Sequence, residues 1–312
     1  MLLSAARAGE GPASAAQAAQ GGLGALPRAE ACFDVESLPA DSREAAEELF
    51  LKMLDSEGLY TLAGGIKPAS SGFVRFVVDA EATTLDEVDK ARRLLEHFRC
   101  MDHVFATVHH FRRISWHPKT GRPERHYEGI VIAVEPFRRL VRRYEGEFAR
   151  LGVSPHSHPM EVLMAIEHAD QVPRWRGYGR IFGFPQEAVD FFVRAGEQQE
   201  KGGPFVRRRF VSLPTYARAE RGVVYAVAED VPETEEDERL RKAAEAALAE
   251  YRERRGRYVG AGKPGVARLL RDWFCPDGGA CRLPPAPAVQ ARSDSKNDWR
   301  PPNRRQTVSA TR

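Results

Sequence analysis

The sequence predicts an α+β fold, a mixed or mainly antiparallel sheet packed with several helices and flanked by disordered termini. Three observations predict it. Candidate strands follow one another without an intervening helix at residues 103–134 and again at 205–228. Between these pairs, helical and strand periodicities mix without the strict alternation of a doubly wound sheet. At both ends the chain loses its large apolar side chains, which leaves too little burial to offset the entropy of ordering.

The N-terminal stretch, to about residue 32, is rich in Ala, Gly, Gln and Ser and is read as disordered. A helix follows, with Asp41 and Glu44 as a capping box, Ala45, Ala46, Leu49, Phe50, Met53 and Leu54 at helical spacing, and Gly58 as the stop. Residues 73–78 are expected to form a strand. Thr84 and Glu87 start a second helix with the stripe Val88, Ala91, Leu95 and Phe98. Residues 103–111 and 126–134 form the first strand pair, joined by a loop holding Pro118, Gly121 and Pro123. Helices are expected over 136–151 and 159–168, the latter opened by Pro159. A glycine-rich strand is expected over 178–182, then a helix over 185–195. The strands at 205–213 and 222–228 precede a long charged helix over 234–255. One domain, 33–258, contains all of these elements, and 259–312 is a basic, Pro/Arg-rich tail, mostly disordered.

Charge separates the same regions. The 47 Lys and Arg exceed the 44 Asp and Glu only because residues 261–312 hold ten basic and four acidic groups. The body is mildly acidic, which argues against nucleic-acid binding through the folded part. No apolar run approaches the roughly 18 residues of a membrane span, so no membrane partner is expected. Four cysteines, Cys32, Cys100, Cys275 and Cys281, are too few and too scattered in sequence for a disulfide framework. The expected compartment is a reducing cytoplasm. Cys275 and Cys281, with five residues between them, could close a small bridge or hold a metal, but lack partner ligands in the local sequence.

Chemistry concentrates in three segments. All nine histidines fall between His97 and His168. Strand parity puts His103 and His109 on one face, and the neighbouring strand can bring His126 and Glu128 to the same patch. His156, His158 and His168 add further nitrogen donors. This set suits a divalent metal such as zinc, although no fixed metal-ligand spacing accompanies it. Glu161 and His168 share a helix face.

The second segment, residues 62–72, joins Gly64 and Gly65 to Lys67, Ser70 and Ser71. Free backbone N–H groups and a lysine there can bind an anion, and either hydroxyl can act as a nucleophile with His109 as base. The third, residues 174–185, interleaves Arg174, Arg176 and Arg180 with Trp175, Tyr178 and Phe182, a pattern that binds planar or anionic groups. Each segment also has an ordinary reading as a turn, a surface or a packed strand.

Together they point first to a hydrolase or transferase acting on a small anionic substrate, metal-assisted through the histidines. A non-catalytic ligand-binding or scaffold module is the alternative. A nucleic-acid binder using the Arg/aromatic strand and the tail is third.

Overall fold

A computed structural model describes residues 32–100, 103–220, 222–275, 281 and 283. The first half of the described chain runs α1 (Ala40–Asp55), α2 (Leu59–Leu62), β1 (Ala69–Asp79), α3 (Asp86–Leu95), β2 (Arg99–Cys100), β3 (Val104–Trp116), β4 (Pro123–Ala133) and α4 (Val134–Arg143). It continues with α5 (Glu145–Ala149), α6 (Pro159–His168), α7 (Gln171–Ile181), α8 (Gln186–Glu200), β5 (Arg208–Leu213), β6 (Val223–Ala228), α9 (Glu235–Tyr258) and α10 (Val266–Phe274). The fold is α+β. Strands β1, β4, β3 and β2 lie in that order in an antiparallel sheet, and β5 and β6 form a separate antiparallel hairpin.

The four-stranded sheet is covered on both faces. Val104, Ala106 and Val108 of β3, with Tyr127 and Val131 of β4, join α1, α2, α3, α9 and α10 in the main core. Ile130 and Ile132 of β4, with Ala69, face α4, α5, α6 and α7. Two-sided burial explains why Ile130, Val131, Ile132 and Ala133 are continuously apolar rather than alternating. The hairpin packs on α8 through Ala188, Val211, Tyr225 and Val227.

Local signals act unequally. Helix α9 begins where the sequence places it, behind a capping box of Thr234 and Asp237, and Pro159 sits at the start of α6 behind an N-cap from His158 that pairs with Glu161. The predicted box of Asp41 and Glu44 does not form, because the helix already starts at Ala40 behind Pro39. Nor does Thr84 cap α3, whose N-cap position is Leu85. The helix expected over 136–151 breaks at Tyr144, whose φ of −112° and ψ of 32° separate α4 from α5.

The predicted strand over 178–182 is instead part of helix α7. Its glycines serve packing, not strand geometry. A Cβ at Gly177 would stand 2.8 Å from Cγ1 of Ile166 on α6, and one at Gly179 would stand 2.7 Å from Cγ2 of Val189 on α8. Residues two apart point to nearly opposite sides of a helix, so the pair lets α6 and α8 approach α7 from both flanks.

The folded region also outruns its predicted limits. Cys32 is buried, and α10 puts Val266, Ala267, Leu269, Leu270 and Phe274 into the main core. Short as it is, α10 carries a full apolar stripe, so the basic charge of the C-terminal stretch does not mark the fold's edge. Residues 1–31 and 284–312, where most of the predicted disorder falls, lie outside the described residues. Among the described residues no helix is long and apolar enough to cross a membrane.

Candidate functional site

The two glycine-rich segments singled out in the sequence meet in space. After α2 the chain turns through Gly64 and Gly65, at φ 84° and 57°, and the N–H groups of Ile66 and Lys67 both donate to the carbonyl of Tyr60. Positive φ at two successive positions is what glycine supplies without steric cost. Gly183, at φ 71°, closes against this turn. A Cβ there would lie 2.9 Å from the Ile66 carbonyl oxygen and 3.1 Å from Cα of Lys67. The segment leaving α7 therefore rests directly on the backbone of the earlier loop.

Lys67 fastens this junction from within. Its side chain is 2% exposed, it is ion-paired with Glu57, and its Nζ lies 5.5 and 5.6 Å from the ring centroids of Phe182 and Phe184. Burial pushes the Lys67 ammonium below its ordinary pKa, with Glu57 opposing the shift. The lysine expected to meet an anion is thus turned inward and already neutralised. Ser70 is also buried, donating to the Glu57 carbonyl at 2.9 Å and lying 2.8 Å from the Thr61 hydroxyl. Ser71 donates to Glu128 at 3.3 Å, a carboxylate that Arg75 also holds at 3.1 Å. Among the described residues neither serine hydroxyl bonds to a histidine, so the nucleophile–base pairing expected of Ser70 or Ser71 with His109 is not assembled.

Next to the junction lies a cleft of about 530 Å³. Gly65, Pro68 and Gly183 form one side, α4 and Tyr144 another, and the starts of α8 and α9 close it. Four arginines line it, Arg139, Arg143, Arg180 and Arg239, against the single carboxylate of Glu236. Arg139 and Arg143 are one helical turn apart and so share a face of α4. Arg139 pairs with Glu135 and Arg239 with Glu236, each at the surface. Among the described residues Arg143 has no carboxylate partner. It sits over the Tyr144 ring at 5.5 Å.

Arg180 is the buried member. Nε and Nη2 donate to the two oxygens of Glu147 at 3.3 and 3.1 Å, and its guanidinium carbon stacks 4.0 Å from the Tyr144 ring centroid. Its Nη1, on the other side of the guanidinium, is buried with no hydrogen-bond partner. An unmet buried donor costs about 1–3 kcal/mol, more on a charged group, so it calls for an acceptor.

The first turn of α8 adds neutral donors. Pro185 provides no side-chain cap, and Pro185 and Gln186 both line the cleft. The free N–H groups and positive dipole end of a 15-residue helix therefore open onto the arginines. Phe184 forms part of the lining and also borders an apolar pocket of about 340 Å³ between α7, α8 and the β5–β6 hairpin.

The remaining sequence candidates disperse. Register places His109 opposite Glu128 and His126 opposite Phe111, on the shared face that parity gives. Even so, each side chain has a different partner. His126 lies 2.8 Å from the Ser115 hydroxyl, and Glu128 pairs with Arg75. His158 caps α6 and stacks on Phe105, while His156 and His168 are exposed and His103 lies in the turn before β3. Among the described residues, metal-capable side chains converge in threes or more only at the four cysteines. The predicted histidine site does not form, because sheet pairing aligns residues two apart but tertiary partners then draw the imidazoles away.

His109 belongs to a buried network instead. Tyr178 donates to Glu167, the backbone N–H of Arg112 donates to the same carboxylate at 2.6 Å, and His109 lies 3.4 Å from the Tyr178 hydroxyl. Burial pushes the Glu167 carboxyl up, but His109, Tyr178 and the Arg112 amide outweigh it and hold the pKa below the ordinary carboxylate value. Burial, followed by the bond to Glu167, raises the Tyr178 phenol, so it stays neutral. The network ties β3 to α6 and α7. Of the arginines read in this region, Arg176 pairs with Asp190 across α7 and α8, Arg174 is half-buried outside the cleft, and Arg180 alone lines it.

Sequence reading missed Arg139, Arg143, Arg239 and the start of α8. The signal was present as Arg139 and Arg143 at helical spacing, but that helix was read only for its apolar stripe. No protein family, no characterised protein and no solved structure matches this chain.

Proposed function

We propose that the protein is a binding module for a small, multiply charged anion, a phosphate ester or polycarboxylate, held in the arginine cleft. The observation that carries this reading is Arg180, a buried guanidinium that lines the cleft, is oriented by Glu147 and Tyr144, and keeps its Nη1 without a partner. Three more arginines and the α8 N-terminus supply the rest of a phosphate-binding chemistry. Arginine suits the task because its planar fork makes paired bonds to phosphate or carboxylate oxygens.

A binding role is favoured over the hydrolase or transferase reading by what lines the cleft. Its titratable lining groups besides the arginines are Glu236 and Tyr144, and Glu236 is paired. Ser70, Ser71 and His109 are not among its lining residues. An expected cytoplasmic location fits a small phosphorylated ligand.

The test uses the full chain and inorganic pyrophosphate, measured by calorimetry and by thermal shift against sodium chloride of equal ionic strength. Saturable binding is expected, with at least a tenfold loss in the double variant Arg139→Ala, Arg143→Ala. That loss corresponds to about 1.4 kcal/mol, less than one charge-assisted hydrogen bond contributes. Both side chains are on the surface, so the variant keeps the unliganded melting temperature. Absence of saturable binding, or binding unchanged in the double variant, overturns the proposal.

A further inference from the structure

The chain's four cysteines meet at one point inside the main core. Cys32 precedes α1, Cys100 ends the short strand β2, Cys275 follows α10, and Cys281 lies just beyond. Their sulfurs all stand within 4.8 Å of one another, and none of the four residues is more than 5% exposed. Against the expectation from their scatter in the sequence, the structure pairs Cys32 with Cys100 and Cys275 with Cys281 as disulfides, and the sulfurs of Cys281 and Cys32 approach to 3.3 Å across the pairs.

Disulfides require only pairwise approach. Two separate bridges have no reason to share one point, because a bridged sulfur has neither a proton to donate nor a charge to attract its neighbour. A single ion has that requirement. Zinc binds thiolates at about 2.3 Å, so four sulfurs on a tetrahedron around it stand about 3.8 Å apart. Sulfurs gathered within 4.8 Å of one another reach that spacing once the two close pairs part, whereas a multi-iron cluster would hold its cysteines farther apart around a larger inorganic core. The local sequence agrees. Between Cys275 and Cys281 the sequence reads Pro276, Asp277, Gly278, Gly279 and Ala280, residues outside the described ones and of turn-favouring composition. The partner ligands missing from this pair are Cys32 and Cys100, brought from 175 or more residues away by the fold.

We propose that Cys32, Cys100, Cys275 and Cys281 bind one Zn²⁺ ion as a closed four-thiolate site. Four protein ligands leave no open position, so the site is structural rather than catalytic. It fastens the first described residues, the edge strand β2 and the end of α10 to one centre. The Phe33–Arg99 backbone bond at 2.9 Å and the packed rings of Phe33, Phe98 and Phe274 lie in the residues adjoining it. Loading requires no oxidant. Four thiols bind the ion as thiolates and release their protons to solvent, so affinity falls as pH falls. The two-bridge alternative requires removal of four electrons and four protons by an oxidant.

The full-length protein, expressed in a reducing cytoplasm and purified without chelator, is examined by elemental analysis and by thiol titration in denaturant. The expected result is one zinc per chain and four titratable thiols. Replacing zinc with cobalt should give the intense near-ultraviolet thiolate-to-metal absorption of a tetrahedral sulfur site. In Cys281→Ser the zinc content should drop and the melting temperature fall. Where that variant does not fold, the wild-type zinc and thiol counts decide alone. Lack of stoichiometric zinc overturns the proposal, whether the cysteines are found bridged or free, and so does stoichiometric iron in its place.

Discussion

Glu57→Gln should damage the protein far more than Lys67→Met, although the two residues form one ion pair. Lys67 is 2% exposed and Glu57 30% exposed. Removing the carboxylate strands an ammonium in the core, whereas removing the ammonium leaves a carboxylate that water can reach. Loss of one partner from a buried pair costs about 3–5 kcal/mol, and replacement by apolar groups of similar shape is often neutral. The lysine can escape the upper end of that range by losing its proton. Neutralising a lysine of ordinary pKa 10.5 at pH 7 costs about 4.8 kcal/mol, and at pH 9 about 2 kcal/mol. The Glu57→Gln defect therefore has a ceiling that falls by about 2.7 kcal/mol between those pH values. The sign follows from the protons bound. Burial depresses the folded-state pKa, so in that window the unfolded chain holds more protons and stability rises with pH. Lys67→Met should cost no more than about 1.5 kcal/mol, since its methyl group meets the Phe182 and Phe184 rings that the ammonium now faces. Urea unfolding followed by tryptophan fluorescence at pH 7 and pH 9 measures all four values. Equal defects in the two variants at pH 7, or a Glu57→Gln defect that does not shrink at pH 9, would refute the reasoning. Lys67→Met should also keep its pyrophosphate affinity, because Lys67 is buried and not among the residues lining the cleft.

Two further outcomes follow from the packing around α7. Gly179→Ala places a methyl 2.7 Å from Val189 and should destabilise by about 0.5–2 kcal/mol, because overpacking exceeds the gain in helix propensity. Combining it with Val189→Ala should cost less than the sum of the single changes, a coupling that chemical unfolding of the four proteins reads directly. Glu167→Gln should cost about 1–3 kcal/mol at neutral pH through its hydrogen bonds to Tyr178 and the Arg112 amide. A carboxyl held below its ordinary pKa stabilises the fold above the unfolded value of 4.5 and loses that effect as pH falls through the lower folded value. The gap between wild type and Glu167→Gln should thus be flat above pH 5 and narrow below 4.5. A gap independent of pH would show that the charge of Glu167 is not what stabilises.

Strands β3 and β4, their antiparallel pairing and the helices α6 and α9 were legible because each has a local signal of period or of a starting proline. Helix α7 was not. Gly177 and Gly179 carry the same letters in a strand and in a helix, and only Ile166 and Val189, brought close by the fold, show which is meant. The histidines misled for the opposite reason. Parity gave their faces correctly, but a face does not determine a partner, and His109, His126 and His158 bond to three different elements. The cysteines show the same limit in reverse. Their scatter in sequence concealed a convergence that depends on α10 returning to the chain's first turn.

The cleft shows why the glycine-rich segments looked functional while their charged residues did not all serve. Where Gly183 closes on Ile66 and Lys67, the backbone leaves no room for a ligand, so the polar groups at that contact must satisfy one another. Lys67 does so with Glu57, and Ser70 with the Glu57 carbonyl. Arg180 lies just beyond the contact and is neutralised in the same way by Glu147, yet it keeps one donor unmet. A guanidinium has five N–H donors, and a carboxylate on one edge cannot satisfy them all. A lysine at position 180 would point its single charge at Glu147 and leave nothing directed at the cleft. Arg180→Lys should therefore keep the Glu147 pair and the fold while weakening pyrophosphate binding at least tenfold. Calorimetry showing undiminished affinity in a folded Arg180→Lys protein would place the ligand contact on the surface arginines alone.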